Sequence, residues 1–185
     1  MPSPNAQWLF LAALVGMLGL FHWMRRIFPV FAILVLPGTL AHECCHLVLG
    51  LLLRGEPAGF NLLPRRGPDG RGWEMGSVSF RNLTWYNAFF IGMAPLLMLP
   101  AAYALVRWRL AAQPVFDGRE ALIIYLIANL VYAALPSWQD CKLAARSPIG
   151  WLLLAAGLAW GWHCCRQPAV NVQPAAAPGR RASFA

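Results

Sequence analysis

His42 and His46 stand four residues apart in the string His42-Glu43-Cys44-Cys45-His46. On a helix that spacing puts both imidazoles on one face, one turn apart, where they can grip a single metal ion. Glu43 follows the first histidine directly and faces the same cleft. A carboxylate there can take a proton from an activated water and hand it to a leaving amine. Zinc is the expected metal, because it lowers the pKa of a bound water to about 7 and so yields hydroxide at neutral pH. A chance match is the bland alternative. A zinc or haem site without hydrolysis is another, with His42 and His46 as bundle ligands.

A catalytic zinc takes a third protein ligand and keeps an open position for water. Glu56, Asp69 and Glu74 lie in a hydrophilic stretch and read as solvated. Asp117 and Glu120 flank a helix start, where acids are favoured in any case. Asp140 differs, because it comes at the end of an apolar run, after Asn129 and Leu135-Pro136. Its two readings are third ligand and interfacial carboxylate paired with Lys142 or Arg146; the first is favoured.

The elements that must hold these groups are apolar. Hydrophobic residues make up 59% of the 185 residues and charged residues 12%, against about 25% charged in soluble domains. A chain this size buries only part of such a surface in its own core, and lipid is the simplest solvent for the rest. An ionisable group at mid-bilayer costs around 2.5–3.5 kcal/mol. Three of them within His42–His46 call for a compensating partner, and a bound dication is one. The net charge of +8 comes from Lys and Arg placed between or after apolar runs. That pattern fits anchoring beside lipid headgroups rather than a nucleic-acid surface. The five cysteines include two adjacent pairs, Cys44-Cys45 and Cys164-Cys165. They give neither a disulfide framework nor a zinc knuckle, and Cys44 and Cys45 read as small apolar side chains.

Five apolar runs are visible, at about Trp8–Met24, Ile27–Leu53, Trp85–Val106, Ala121–Leu135 and Ile149–Cys165. The first lacks a basic leader and a small-residue cleavage site, so it reads as a retained segment. A spanning helix needs roughly 20 apolar residues; the second and third runs meet this and the others come near it. Tryptophans cluster near run ends, as interfacial anchors do. The expected architecture is an all-α membrane bundle of about five transmembrane helices. A small β-hairpin is expected between the second and third, where Gly59–Leu63 and Met75–Phe80 flank Pro68-Asp69-Gly70. Residues 1–166 form the membrane domain, and residues 167–185, rich in Ala and Pro, read as a disordered tail. Lys and Arg are nearly balanced between the two sides, so orientation stays open, as does oligomeric state. Asn129 reads equally as a functional group, contacting a substrate strand or orienting the Asp140 loop, or as an interhelical contact, and Pro37-Gly38 as a break in the helix before His42.

The metal string in one apolar segment and a distant Asp in a later one resemble the site-2 protease family of intramembrane zinc metalloproteases. Asn129, Leu135-Pro136 and Asp140 are similar in order and spacing to that family's Asn, Leu-Pro and Asp-Gly pattern. Gly92-Met93-Ala94-Pro95 is similar to its Gly/Pro-containing middle helix, and the hairpin resembles that of compact bacterial members. The chain departs from the pattern at Cys44-Cys45, and at Cys141, where the family has glycine. The resemblance covers about Pro37 to Ala145. It implies a multi-pass protein of a bacterial inner or plasma membrane that cleaves membrane-embedded protein substrates. His42, His46 and Asp140 would bind zinc, and Glu43 would act on water. The alternative is an inactive scaffold or metal-binding protein of the same fold.

Overall fold

The structure is a computed structural model that describes residues 4–66, 73–112 and 117–166. It is mostly helical. Helix α1 spans Pro4–Met24, α2 Phe28–Leu34 and α3 Leu36–Leu52. Strands β1 (Pro57–Asn61), β2 (Arg65–Arg66), β3 (Trp73–Glu74) and β4 (Ser77–Phe80) follow. Next come α4 (Ala88–Gly92), a 3-10 turn (Ala94–Leu97), α5 (Met98–Ala111), α6 (Gly118–Ala133), α7 (Trp138–Ala144) and α8 (Pro148–Arg166). Contacts divide the chain after Trp151. The part before it holds the core, the strands and the histidine pair. In the part from Leu152, each described side chain up to His163 is exposed.

The long apolar runs break where the chain loses backbone donors. The second run bends by 62° between α2 and α3, with Pro37 in the first turn of α3, where a missing N–H costs nothing. The third run breaks after Gly92, with Pro95 in the 3-10 turn. The fourth ends at Ala133 before Pro136 and bends by 50° into α7. Five spans were expected. Among the described residues one helix, Asn5–Met24, is long and apolar enough to cross a membrane, or up to three if each bent pair is one span.

The core gathers Phe10, Leu14 and Phe21 of α1 with Phe31, Val35, Ala102, Ile124, Ile127 and Ala128. Tyr132 takes the edges of Phe21 and Phe31, with ring centroids 5.7 and 5.8 Å apart. Outside this core many large apolar side chains are exposed, among them Trp8, Val15, Leu51, Leu52, Tyr103 and Leu122. One charged pair is taken inside: Glu120 is 1% exposed and receives a two-pronged hydrogen bond from Arg109. The side chain of Asp117 caps the start of α6 by accepting from the Glu120 N–H at 2.9 Å. Both acids are therefore occupied structurally.

The hairpin forms between the expected arms, as two antiparallel ladders. β1 pairs with β4, Gly59 opposite Ser79 and Asn61 opposite Ser77, with an irregularity between Pro57 and Gly59. β2 pairs with β3, Arg65 opposite Glu74. Pro68-Asp69-Gly70 and the tail from residue 167 lie outside the described residues. β4 lies along α3. The Phe80 ring packs on Gly50, where any Cβ would overlap it, and Gly76 lies against Glu43. Four residues of strand cover about 13 Å and seven of helix about 10 Å, so the two contacts share one register.

α3 ends in a Schellman turn: the Gly55 N–H reaches the Gly50 carbonyl at 2.6 Å and the Arg54 N–H the Leu51 carbonyl at 3.2 Å. The left-handed position falls on Arg54, at φ 56°, where glycine is the unstrained residue. Arg54→Gly is expected to raise stability by about 0.5–1 kcal/mol, read from thermal unfolding in micelles; an unchanged or lower midpoint contradicts it.

A candidate metal centre

Helix α3 reaches its histidines through an unusual first turn. Val35, the residue before it, offers no side-chain cap. The Gly38 N–H, unsatisfied within the helix, donates instead to Oδ1 of Asn129 on α6 at 3.0 Å. Asn129 in turn donates to the Tyr125 carbonyl at 3.1 Å and is 1% exposed. Gly38 permits the approach, because a Cβ there would lie 2.7 Å from the Asn129 carbonyl oxygen. The interhelical contact read for Asn129 is observed. Asn129→Ala is expected to cost about 1–3 kcal/mol, since it leaves a buried N–H without an acceptor. Chemical denaturation measures it, and a loss under about 0.5 kcal/mol would mean that the N–H finds another partner.

His42 and His46 lie one turn apart with ring centroids at 4.9 Å. Each Nδ1 donates to a backbone carbonyl, His42 to Ala133 at 2.6 Å and His46 to Ile91 at 2.7 Å. A carbonyl only accepts, so these contacts fix the proton on Nδ1 and leave Nε2 bare in the neutral ring. Neither carbonyl receives the helical bond from four residues on, for a reason written in the sequence. The residue four after Ile91 is Pro95, which has no N–H to close the helical bond. Pro136 ends α6 just beyond Ala133, and the N–H four residues on, from Ser137, goes to Oδ2 of Asp140 at 2.6 Å.

Asp140 opens α7 as part of a capping box, its N–H donating to Ser137 Oγ at 3.2 Å. Its other contacts are the two histidines: Oδ2 lies 3.3 Å from His42 Nε2 and Oδ1 3.2 Å from His46 Nε2. Among the described residues no ion pair joins Asp140 to Lys142 or Arg146; Lys142 Nζ sits 5.5 Å over the Trp138 ring. The α4–α7 crossing that brings Asp140 in depends on Gly92, where a Cβ would lie 2.6 Å from the Asp140 carbonyl oxygen. Gly92 is thus the close-approach glycine of this crossing, and Cys141 beside Asp140 is half-buried.

The two Nε2 atoms are 3.2 Å apart, so three electron-pair donors face one another: two bare ring nitrogens and a carboxylate. A proton on one nitrogen satisfies one of these contacts; a cation at the centre satisfies all of them. For a small dication with bonds of about 2.1 Å, tetrahedral ligand atoms lie about 3.3–3.5 Å apart, close to the spacings observed. The residues fit a metal, and His42, His46 and Asp140 form a group that could hold one, their ligand atoms within 4.8 Å of one another. The free cysteines Cys44, Cys45 and Cys141 are half-buried, and none joins this group.

Glu43 is not a member of the donor set. It is 5% exposed and lies beneath Gly76 of the hairpin, whose Cβ, if present, would fall 2.7 Å from Glu43 Oε1. Sequence reasoning did not anticipate Ile91, Ala133, Ser137 or Gly76, and marked Gly92 only by resemblance, within Gly92-Met93-Ala94-Pro95. The first two were readable by counting four residues back from a lost backbone donor. Gly76 and Gly92 carry no such local signal. No family model, no curated protein and no solved structure matches the chain.

Proposed function

We propose that the chain is a multi-pass intramembrane zinc endopeptidase of the site-2 protease kind, hydrolysing peptide bonds of membrane-embedded protein substrates. The observation that carries the reading is the convergence of two bare imidazole nitrogens and a carboxylate beside a buried glutamate that is outside the donor set. A metal carrier needs the first three groups and has no use for the fourth. The exposed apolar side chains on the helices support a lipid setting, with the bent pairs α2–α3 and α6–α7 serving as broken spans around the centre. Breaks in helices inside a bilayer are tolerated where they line a site, and the α6–α7 break supplies the Ala133 carbonyl and Asp140 to this one.

His42, His46 and Asp140 would hold the zinc. When bound, zinc polarises a carbonyl and makes water acidic enough to ionise near neutral pH. Glu43 accepts the proton that water loses and delivers it to the amide nitrogen. The water oxygen becomes bonded to the carbonyl carbon, and the C–N bond breaks with the proton on the departing amine. The carbonyls of Ile91 and Ala133 hold each imidazole in the tautomer that leaves Nε2 available. The substrate must be locally extended, since the carbonyls of an intact helix are already hydrogen-bonded.

The test is a set of transmembrane-segment peptides incubated with the zinc-loaded protein in micelles and read by mass spectrometry. Fragments are expected, to be lost on chelation with 1,10-phenanthroline and restored by added zinc. Cleavage indifferent to chelation, or no cleavage of any peptide by the zinc-loaded protein, overturns the reading.

A further inference from the structure

A cavity of ≈ 690 Å³ opens between the end of α1, α2, the hairpin and the end of α6. Its apolar wall includes Phe28, Trp73, Met75, Tyr132 and Leu135, and His22 and Arg25 line it as well. With Arg26, these two residues also line a second cavity of ≈ 270 Å³. The wall is braced: Trp73 stacks on Phe28 with centroids 4.5 Å apart, and the Arg66 guanidinium lies 5.0 Å over the Trp73 ring.

The cavity borders the candidate centre through two chain neighbours. Met75 precedes Gly76, which lies against Glu43. Tyr132 precedes Ala133, whose carbonyl holds His42. An extended chain advances about 3.3 Å per residue, so a side chain seated in the cavity carries its neighbouring peptide bonds toward Glu43. The volume lies in the range of ligand pockets, about 300–1,000 Å³. Arg25 at its charged side, and Arg26 of the second cavity that shares Arg25, are exposed, and among the described residues no carboxylate pairs with either. Beside low-dielectric aromatic walls, an incoming carboxylate is attracted more strongly than in open water.

We infer that this cavity is the substrate subsite, and that it selects an extended polypeptide segment carrying a bulky apolar side chain with an Asp or Glu beside it. The inference rests on the endopeptidase reading for its place next to the reacting groups. The apolar side chain fills the space between Phe28, Met75 and Tyr132, and the carboxylate meets Arg25 and Arg26.

The experiment measures binding without turnover. Zinc-loaded Glu43→Gln protein in phosphatidylcholine nanodiscs is titrated with short dye-labelled peptides bearing one Trp and one Asp, with Asn and Lys counterparts, and followed by anisotropy. The Asp peptide is expected to bind about tenfold more tightly than the Lys peptide. Arg25→Glu, at an exposed position, is expected to reverse that order, and Leu135→Trp, also at an exposed position, to weaken every peptide by filling the cavity. Equal affinity for the Asp, Asn and Lys peptides overturns the inference. So does affinity that follows added phosphatidylglycerol and ignores peptide sequence, which would make the occupant a lipid. Cleavage assays with wild-type protein separate the two readings. Charge-selective binding without cleavage removes the endopeptidase reading alone, and cleavage without charge preference removes the subsite alone.

Discussion

Replacing Glu43 with Gln is expected to lower peptide hydrolysis by about 10²–10⁴-fold while leaving zinc content unchanged. The substitution keeps size and shape, so the residue still fits beneath Gly76 and the hairpin stays on α3. It removes the one property the reaction asks of this position, the ability to carry a proton from water to the leaving nitrogen. Zinc is untouched because Glu43 is not part of the donor set formed by His42, His46 and Asp140. Metal analysis and peptide cleavage on the same preparation check both halves. Hydrolysis within tenfold of wild type would show that another group moves the proton. Loss of zinc would place Glu43 among the ligands and return the site to a metal-binding role.

Asp140→Asn is expected to weaken zinc by at least about 100-fold, more than the loss of a group that only orients a ligand. Two effects act together. The amide is neutral and a poorer ligand than the carboxylate. Its N–H₂ group can also donate to one bare Nε2, which relieves in the metal-free protein the crowding of electron pairs that favours a cation. The apo variant is therefore expected to be at least as stable as apo wild type, with the difference appearing on zinc addition. At a fixed zinc concentration that saturates wild type, a 100-fold loss of affinity removes about 2.7 kcal/mol of stabilisation. For a chain of this size that is roughly 5–10 °C in unfolding midpoint. Isothermal titration with zinc and thermal scans with and without metal measure the two effects. Unchanged affinity would remove Asp140 from the centre.

Much of the centre is written locally. The histidine spacing needs only a helix, and the helix needs only the apolar run around it. Asp140 is legible by elimination, because Glu56, Asp69 and Glu74 lie in a hydrophilic stretch and Asp117 and Glu120 at a helix start; the structure occupies Asp117 with a cap and Glu120 with Arg109. The hairpin arms follow from turn residues between strand-like runs, and the outer limits of the first, fourth and fifth apolar runs match α1, α6 and α8 within a few residues. What hydropathy does not register is interruption. The third run reads as a continuous span, since Met93 is as apolar as its neighbours, yet the helix breaks there; in the second the expected break at Pro37-Gly38 falls two residues earlier, at Val35. Contacts made by absent atoms are hidden for a different reason. Gly38, Gly76 and Gly92 matter through the neighbours they admit, and those neighbours lie on other elements far along the chain. Asn129 was readable as a polar group inside an apolar helix, but its partner, a single N–H in the first turn of α3, was not.

The tethering of each imidazole to a carbonyl freed by proline bears on how the protein is made. The histidine pair leaves the ribosome first, but His46 waits for Ile91, and His42 waits for Ala133 and Asp140, nearly a hundred residues later. At elongation rates of about 5–20 residues per second, that interval is roughly 5–20 s. Until then no three-donor site exists, and the paired imidazoles alone hold a cation weakly. On the proposed reading a metal would be acquired only after α6 and α7 have docked, and the nascent chain would carry no three-donor site while its own unfolded segments are within reach.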